Sequence, residues 1–193
     1  MTEEEVLAEF RASRALLEGH FVLSSGRHSA YYLQCARVLM DPERAGRLAI
    51  GLAQKLPRDL RSQIRKVVSP AMGGIIIGHE MGRALSVEAI FLERPEGTFE
   101  LRRGFEINEG DKVLLVEDVI TTGLSSREAI KAVEAAGGKV LAAAALVDRT
   151  GGSVDLGVPF HPLVTINFPT YAEDELPAEL AALPAIKPGS RKK

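Results

Sequence analysis

Residues 113–125 read Val113-Leu114-Leu115-Val116-Glu117-Asp118-Val119-Ile120-Thr121-Thr122-Gly123-Leu124-Ser125. The four apolar residues at the start predict a strand that is buried on both faces. Two acids follow, and a turn of small residues then opens a helix. In an open α/β sheet, ligands bind at the carboxyl ends of the strands. The stretch therefore predicts an α/β fold with a ligand site at residues 117–125.

The turn after this strand has the composition of an anion site. Backbone N–H groups from Thr121 to Ser125 at a helix N-terminus can hold a phosphate, and hydroxyl groups in the same turn add donors. Glu117 and Asp118 would repel a phosphate, so we expect them to face another part of the ligand, such as the paired hydroxyls of a ribose. An acidic strand end with a plain helix cap is the structural alternative. Neither a P-loop motif nor a dinucleotide-binding motif is present.

Strands and helices alternate on both sides of this stretch. Apolar runs predict strands at residues 66–69, 89–93, 112–116 and 140–147. We expect residues 140–147 to be the last strand. Helices are predicted at residues 75–85 and 125–136. Uninterrupted apolar strands that alternate with helices favour a mainly parallel central sheet flanked by helices. Residues 94–110 combine glycine and proline with charges, which predicts a long loop. Long loops in compact domains are usually functional or disordered.

The N-terminal part of the chain predicts a helix and a hairpin. Thr2 and Glu5 have the spacing of a capping box, and the apolar period after them predicts a helix that continues to Gly19. β-branched and aromatic residues around Ser24 predict a short hairpin within residues 21–39.

A second helix and a C-terminal extension complete the pattern. Asp41 followed by Pro42 predicts the start of a helix that ends near Pro57. At the other end, residues 172–193 predict one short helix and then a mobile, basic tail.

Composition limits the partners of the chain. A formal net charge of -2 provides no general field for nucleic acid or for an anionic membrane, so we expect small-molecule partners. Cys35 is the single cysteine, which excludes an intrachain disulfide. The acidic start of the sequence is unlike a signal peptide, and no apolar run has the length of a membrane span. We therefore expect a cytoplasmic location. The four histidines lack metal-ligand spacing, so we expect no metal site of the protein's own.

The residues EDVITTGLS, with the strand before them, resemble the signature by which type I phosphoribosyltransferases bind phosphoribosyl pyrophosphate (PRPP). The resemblance implies that Glu117 and Asp118 bind the ribose hydroxyls, and that Asp118 acts in catalysis. It also implies that the loop after the acids holds the 5-phosphate, through Val119, Ile120, Thr121, Thr122, Gly123, Leu124 and Ser125. The segment SPAMGG resembles the pyrophosphate loop of this family, with contacts at Met72 and Gly73. A plain turn from strand to helix is the alternative for this loop.

Two further segments resemble orotate phosphoribosyltransferases. GHFVLSSGRHS, followed by Tyr31-Tyr32-Leu33, is similar to the segment that forms a hood over the base, where Tyr32 would contact orotate. LVDR matches a strand end whose arginine, here Arg149, binds the orotate carboxylate, and Thr121 would also touch the base. A guanidinium suits a carboxylate because it offers a planar pair of donors. A surface salt bridge is the alternative for Arg149, and packing within the hood is the alternative for Tyr32.

The resemblance covers roughly residues 5–171 and implies a type I phosphoribosyltransferase fold with a small hood. We divide the chain into an N-terminal helix and hood (1–40), a PRPP-binding core (41–171) and a C-terminal extension (172–193). The implied reaction transfers ribose 5-phosphate from PRPP to orotate, with Mg²⁺ bound to PRPP and pyrophosphate. The family further implies a homodimer in which the loop 94–105 closes over the neighbouring subunit's site.

This sequence also departs from the family pattern. Many members have lysine at the positions of Ser24, Gly73 and Pro95. Arg94 matches an arginine that contacts pyrophosphate, and we assign it electrostatic stabilisation because its pKa is too high for proton donation. Arg102 and Arg103 are candidates for the charge that other members carry on lysine or histidine. Two alternatives stay open at this point: transfer to another base, and a regulator that binds PRPP without turnover.

Overall fold

The computed structural model describes residues 1–23 and 25–188 of the chain. Ser24 and the tail residues 189–193, on which the hairpin turn and the mobile tail were predicted, lie outside the described residues. In the described part, the α-helices are α1 (Glu3–Ala12), α2 (Cys35–Leu39), α3 (Pro42–Lys55), α4 (Arg58–Gln63), α5 (Gly74–Leu85), α6 (Leu124–Ala135) and α7 (Ala178–Ala181). The strands are β1 (Leu16–Val22), β2 (His28–Leu33), β3 (Lys66–Pro70), β4 (Glu88–Glu93), β5 (Glu100–Leu101), β6 (Lys112–Ile120), β7 (Lys139–Asp148), β8 (Phe160–Thr165), β9 (Thr170–Tyr171) and β10 (Ala185–Ile186).

A six-stranded sheet with the order β5-β4-β3-β6-β7-β8 forms the centre of the molecule. Five of its strands are parallel, and the short β5 pairs antiparallel with β4 at one edge. From β3 the chain crosses to β4 on one side, and from β6 it continues to β7 and β8 on the other. The strand order therefore reverses between β3 and β6. The predicted α/β fold with a mainly parallel central sheet is confirmed.

Successive residues of the central strand β6 point to opposite faces of the sheet. Leu114 and Val116 pack in the cluster beneath α1, α3 and α5, whereas Val113 and Leu115 pack in the cluster that contains residues of α6. All four side chains are fully buried. Because both faces are covered by helices, the apolar run needs no polar alternation.

Helix α5 lies very close to the sheet because its inner face is made of glycine. Gly74, Gly78 and Gly82 recur every four residues and so share one face of the helix. A β-carbon at Gly78 would lie 2.7 Å from Cβ of Ser69, and one at Gly82 would lie 2.7 Å from Cβ of Ala89. This close approach brings the N-terminus of α5 to the carboxyl end of β3.

The hood is a second sheet with the order β10-β1-β2-β9, built from both ends of the chain. The hairpin β1–β2 is antiparallel, β9 pairs antiparallel with β2, and β10 pairs parallel with β1. The boundaries predicted at residues 40 and 171 stay a prediction. Among the described residues, no helix is long and apolar enough to cross a membrane.

Local capping signals were predicted well. The Thr2 side chain accepts from the Glu5 amide and the Glu5 side chain accepts from the Thr2 amide, which confirms the capping box. Asp41 caps α3 by accepting from the amides of Glu43 and Arg44. The short C-terminal helix is also confirmed, as α7.

Four predictions of secondary structure were wrong. The hairpin predicted within residues 21–39 begins earlier, with β1, and ends at Leu33, because Cys35–Leu39 forms α2. The first helix ends at Ala12, because Arg14 takes a positive φ of 54° and the chain then enters β1, so the leucines before Gly19 belong to a strand. Residues 140–147 are not the last strand, since β8 extends the sheet beyond β7. The predicted loop 94–110 contains β5, which makes its first part a hairpin on β4.

The glycine face of α5 gives a test of the packing. We expect Gly78→Ala to lower the free energy of unfolding by about 1–3 kcal/mol, because the added methyl group overlaps Ser69 and this outweighs the gain in helix propensity. Gly46→Ala in α3 is the matched control, because its methyl group would meet the flexible end of Arg83. Urea denaturation measures both. Equal stability of the two variants would contradict the packing argument.

Candidate active site

The crevice between the ends of β3 and β6 brings together the two loops that were predicted to bind ligand. Residues 71–73 follow β3 and residues 121–123 follow β6. A β-carbon placed on Gly73 would lie 2.8 Å from both carboxylate oxygens of Asp118. Ligands of open α/β sheets bind where the strand order reverses, and the predicted residues of both loops meet at this position.

The loop after β6 leads into a helix N-terminus that is open to solvent. Thr121, Thr122, Leu124 and Ser125 are exposed, whereas Gly123 is buried and takes a positive φ of 72°. A side chain at Gly123 would collide with Val154 and Leu156. The first amide groups of a helix have no partner within the helix, so the 12-residue helix α6 offers donors to an anion here.

Arg127 braces this loop and was missed in the sequence. Its guanidinium donates to the carbonyl oxygen of Thr122 at 3.1 Å and to that of Asp155 at 3.0 Å. It thus ties the loop to the segment after β7. Its position one turn into a helix that follows a phosphate-type loop was the available signal, but the partner at residue 155 is distant in sequence.

Glu117 is the most strongly perturbed acid of the crevice. Its side chain is buried, with the residue 7% exposed, and burial together with the neighbouring charge of Asp118 raises its pKa to about 8. The hydroxyls of Ser125 and Ser126 and the charge of Arg94 act in the opposite direction. Glu117 is therefore protonated near neutral pH in the absence of ligand, and it can donate a hydrogen bond to a ribose hydroxyl.

Asp118 lies beside it and is less enclosed. Burial raises its pKa, and the Val119 amide, which donates to Oδ1 at 2.9 Å, opposes that rise. The side chains of Val119 and Ile120 pack into the two hydrophobic clusters. These two predicted PRPP-binding residues can therefore offer a ligand only their backbone.

A cleft of about 460 Å³ lies between the hood and the loop after β6. Its lining includes Arg149, Tyr32 and the predicted base contact Thr121, together with Val22, Leu23, Ser25, Thr122 and Pro188. Arg149 reaches this place because its amide donates to the Ile120 carbonyl, which extends the pairing of β7 with β6. The structure thus groups the three predicted orotate-binding residues in one cleft.

Arg149 is the unsatisfied donor of this cleft. Burial lowers the pKa of its guanidinium, and Nε is buried without a hydrogen-bond partner in the part of the chain that the structure describes. The guanidinium lies 6.0 Å from the ring of Phe168, which stacks on Tyr31 of the hood at 4.4 Å. A buried donor without an acceptor costs free energy, and a ligand that supplies an acceptor removes this cost.

Asp148 shapes the turn after Arg149 and was not predicted to matter. Its buried carboxylate accepts from the Thr150 amide and hydroxyl, both at 2.7 Å, and from the Gly152 amide at 2.9 Å. An aspartate at a strand end before Thr-Gly-Gly is a turn signal that could have indicated this role. The carboxylate keeps Arg149 at the end of β7.

The predicted lid arginines are paired with acids. Arg94 forms an ion pair with Glu128 of α6, and its guanidinium lies 4.1 Å from the ring of Phe99. Arg103 donates to Glu93 at 2.6 Å, and Arg102 lies 3.8 Å from the same acid. None of these arginines lines the cleft beside Arg149. The Met72 side chain is 84% exposed at the start of α5.

Comparisons with known proteins agree with this geometry. Residues 39–157 match the model of the phosphoribosyl transferase domain family. An orotate phosphoribosyltransferase from Novosphingobium aromaticivorans is 78% identical over 100% of both chains, and one from Maricaulis maris is 54% identical over 99% of this chain and 98% of the relative.

Solved structures share the fold. An orotate phosphoribosyltransferase from Aeropyrum pernix matches with a TM-score of 0.67 and 29% identity, covering 83% of this chain and 93% of that one. An adenine phosphoribosyltransferase from Thermoanaerobacter pseudethanolicus matches with a TM-score of 0.59 and 22% identity, covering 70% and 88% of the two chains. At that identity the second match supports the fold alone.

The raised pKa of Glu117 predicts a pH dependence of stability. Because this pKa lies above its ordinary value of 4.5, the contribution of Glu117 is full below that value and is lost as pH rises through about 8. From about pH 6 to about pH 9, we expect the wild type to lose roughly 2–3 kcal/mol more unfolding free energy than Glu117→Gln. Urea denaturation at both pH values measures this difference. The exposed Glu134→Gln of α6 should behave like the wild type, and parallel losses in all three proteins would contradict the assignment.

Proposed function

Because this chain belongs to the orotate phosphoribosyltransferases of the phosphoribosyl transferase family, we propose that it carries out its reaction in the crevice between β3 and β6. The reaction transfers ribose 5-phosphate from PRPP to orotate and gives orotidine 5'-phosphate and pyrophosphate, a step of pyrimidine biosynthesis. The observation that carries the proposed site is the buried Nε of Arg149, which has no hydrogen-bond partner among the described residues and lies in one cleft with Thr121 and Thr122 of the loop after β6.

In this step the orotate nitrogen forms a bond to the anomeric carbon of PRPP. The bond from that carbon to the pyrophosphate oxygen breaks, and its electron pair leaves with pyrophosphate. The N–H bond of the attacking nitrogen also breaks, and the departing pyrophosphate can accept its proton. The protein supplies no nucleophile. Its tasks are to align the two substrates, which can lower the activation barrier by about 7–11 kcal/mol, and to stabilise the charge of the leaving group.

The ribose 5-phosphate moiety of PRPP has two binding elements. The exposed amide and hydroxyl groups of Thr121, Thr122 and Ser125 suit the 5-phosphate. Glu117 and Asp118 suit the ribose hydroxyls. Protonated Glu117 can donate to one hydroxyl oxygen while Asp118 accepts from the other hydroxyl, so the two adjacent acids need not repel each other in the complex.

Orotate would lie in the cleft beneath the hood. Its carboxylate can accept from the guanidinium of Arg149, which satisfies the buried Nε, and Thr121 and Tyr32 are close enough to line the base. The ring faces the crevice, so its nitrogen would approach the anomeric carbon from the side opposite to pyrophosphate.

Pyrophosphate would occupy the loop after β3, where Gly73 has no side chain and Met72 is exposed. Arg94 is the proposed cation for its departing charge. The described residues contain no group of three acidic, histidine or cysteine side chains that could hold a metal. Mg²⁺ would arrive on PRPP, with phosphate oxygens and water as its ligands. When bound, the ion neutralises pyrophosphate charge.

Residues 94–105 are the proposed lid. Arg102 and Arg103 would leave Glu93 and Arg94 would leave Glu128 when substrate phosphates compete for the guanidinium groups. Closure excludes water, which could otherwise hydrolyse PRPP. We further propose a cytoplasmic homodimer in which each lid acts on the partner's site.

Arg149 provides the first test of this function. The purified protein with PRPP and Mg²⁺ should consume orotate, measured by the loss of its absorbance, and should leave adenine, hypoxanthine, xanthine and uracil unchanged. We expect Arg149→Ala to raise the KM for orotate roughly 10- to 150-fold, as for a lost charge-assisted hydrogen bond.

Arg149→Lys should recover part of the lost affinity for orotate, because lysine keeps the positive charge. The recovery should be incomplete, because lysine lacks the planar pair of donors. The KM for PRPP serves as the internal control and should stay within about twofold. Turnover of a different base, or an unchanged KM for orotate in Arg149→Ala, would refute the proposed base site.

Arg94 provides the second test. We expect Arg94→Gln to weaken pyrophosphate inhibition and to lower kcat/KM for PRPP roughly 10- to 100-fold, because a charged donor to the leaving group is lost. Arg58→Gln, an exposed charge change on α4, is the matched control. If pyrophosphate inhibits Arg94→Gln as strongly as the wild type, Arg94 does not contact pyrophosphate and its role is structural.

A further inference from the structure

The C-terminal segment reaches the base cleft by a very short strand. β10 pairs with β1 over two residues, His20 with Ala185 and Phe21 with Ile186. Two residues further on, Pro188 lines the cleft with Arg149. A two-residue ladder is too small to be stable by itself. The wall formed by Pro188 must therefore be held by additional contacts.

His20 of β1 supplies such a contact. Its Nδ1 lies 3.0 Å from the carbonyl oxygen of Leu183, just before β10. A carbonyl oxygen can only accept, so Nδ1 carries the hydrogen and donates it. The imidazole is buried, with the residue 4% exposed, and a hydrogen bond in such surroundings is not exchanged readily for water.

His28 of β2 fixes the orientation of the His20 ring. The Nε2 of His20 lies 2.6 Å from the Nδ1 of His28, and His28 is also buried. With a hydrogen on Nδ1, a neutral His20 has Nε2 free to accept from His28. The two rings thus form a directed chain of donors from β2 through β1 to the C-terminal segment.

Leu180 of α7 adds an apolar anchor upstream, since it is buried and its helix packs against β1. The segment from residue 180 to residue 188 is thus fastened at Leu180, at the Leu183 carbonyl and at β10. All three points lie on the hood, whereas the phosphate loop and the acids belong to the core. Release of this segment should change the base cleft and leave the PRPP site intact.

We propose that His20 is a positioning residue for orotate, acting through the C-terminal strand, and that Pro188 is the wall of the base cleft that it holds in place. The inference rests on the proposed function, because it takes this cleft as the orotate site. It predicts an effect on the base and none on PRPP.

The test uses full-length variants assayed with orotate and with PRPP as the varied substrate. His20→Leu keeps a buried side chain and removes the hydrogen bond to Leu183, and we expect it to raise the KM for orotate about threefold to tenfold. The KM for PRPP and kcat should change by less than about twofold. His20→Asn, which retains an N–H donor near the position of Nδ1, should recover most of the affinity.

Pro188→Gly alters the wall without touching the histidine pair. We expect the same selective rise in the KM for orotate. Since both changes act through one wall, the double variant should be no worse than the more affected single variant, as coupled residues are not additive. His161→Leu is the matched control, because His161 lies near the start of β8, the end opposite to the carboxyl-end crevice.

Each outcome decides the proposal. It is overturned if both KM values rise together in His20→Leu, if the double variant is additive, or if Pro188→Gly leaves the KM for orotate unchanged. The last result applies even if His20→Leu does not fold. Failure of the wild type to consume orotate would instead refute the proposed function.

Discussion

In strand β6 two consecutive acids, Glu117 and Asp118, follow a fully apolar run and are largely shielded from water. A carboxylate in such surroundings costs several kcal/mol unless it is protonated or compensated. Here Glu117 takes up a proton, and the Val119 amide donates to the carboxylate of Asp118. The neighbouring loops leave the two acids open to a ligand that brings hydroxyl groups.

Small residues make this arrangement possible. The glycine face of α5 allows the helix to approach β3, and Gly73 leaves the space next to the Asp118 carboxylate empty of any side chain. Many members of the family that the sequence resembles have lysine at this position. The β-carbon of a lysine here would lie 2.8 Å from both carboxylate oxygens, so Asp118 would have to move. In this chain Arg94 brings positive charge to Glu117, and Arg149 brings it to the cleft beneath the hood. Arg94, Arg102 and Arg103 are paired with acids of α6 and of the hairpin.

Local signals in the sequence predicted the parts of the fold that depend on local physics. The run before Glu117 had to be a strand, and Asp41 with Pro42 had to begin a helix. Strand β8 escaped prediction because Phe160–Thr165 is short and contains Pro162, which is tolerated only at an edge. The pairing of Arg94 with Glu128 and the bond from His20 to Leu183 join residues 34 and 163 positions apart, and no local pattern contains them. The predicted residues of the two loops lie next to each other in the structure. Asp148 had a local turn signal, whereas the contacts of Arg127 and Phe168 needed the three-dimensional structure.

The hood sheet takes β1 and β2 from the first part of the chain and β9 and β10 from its last part. During synthesis on a ribosome, residues 1–160 can emerge and pack most of the central sheet before β9 and β10, the outer strands of the hood, have been synthesised. Contacts between such distant segments form late, since the long intervening chain must be ordered first. A nascent chain would therefore acquire its phosphate loop and its acids before it acquires a closed cleft for the base. Under the proposed function, the cleft for the base would be completed after the phosphate loop.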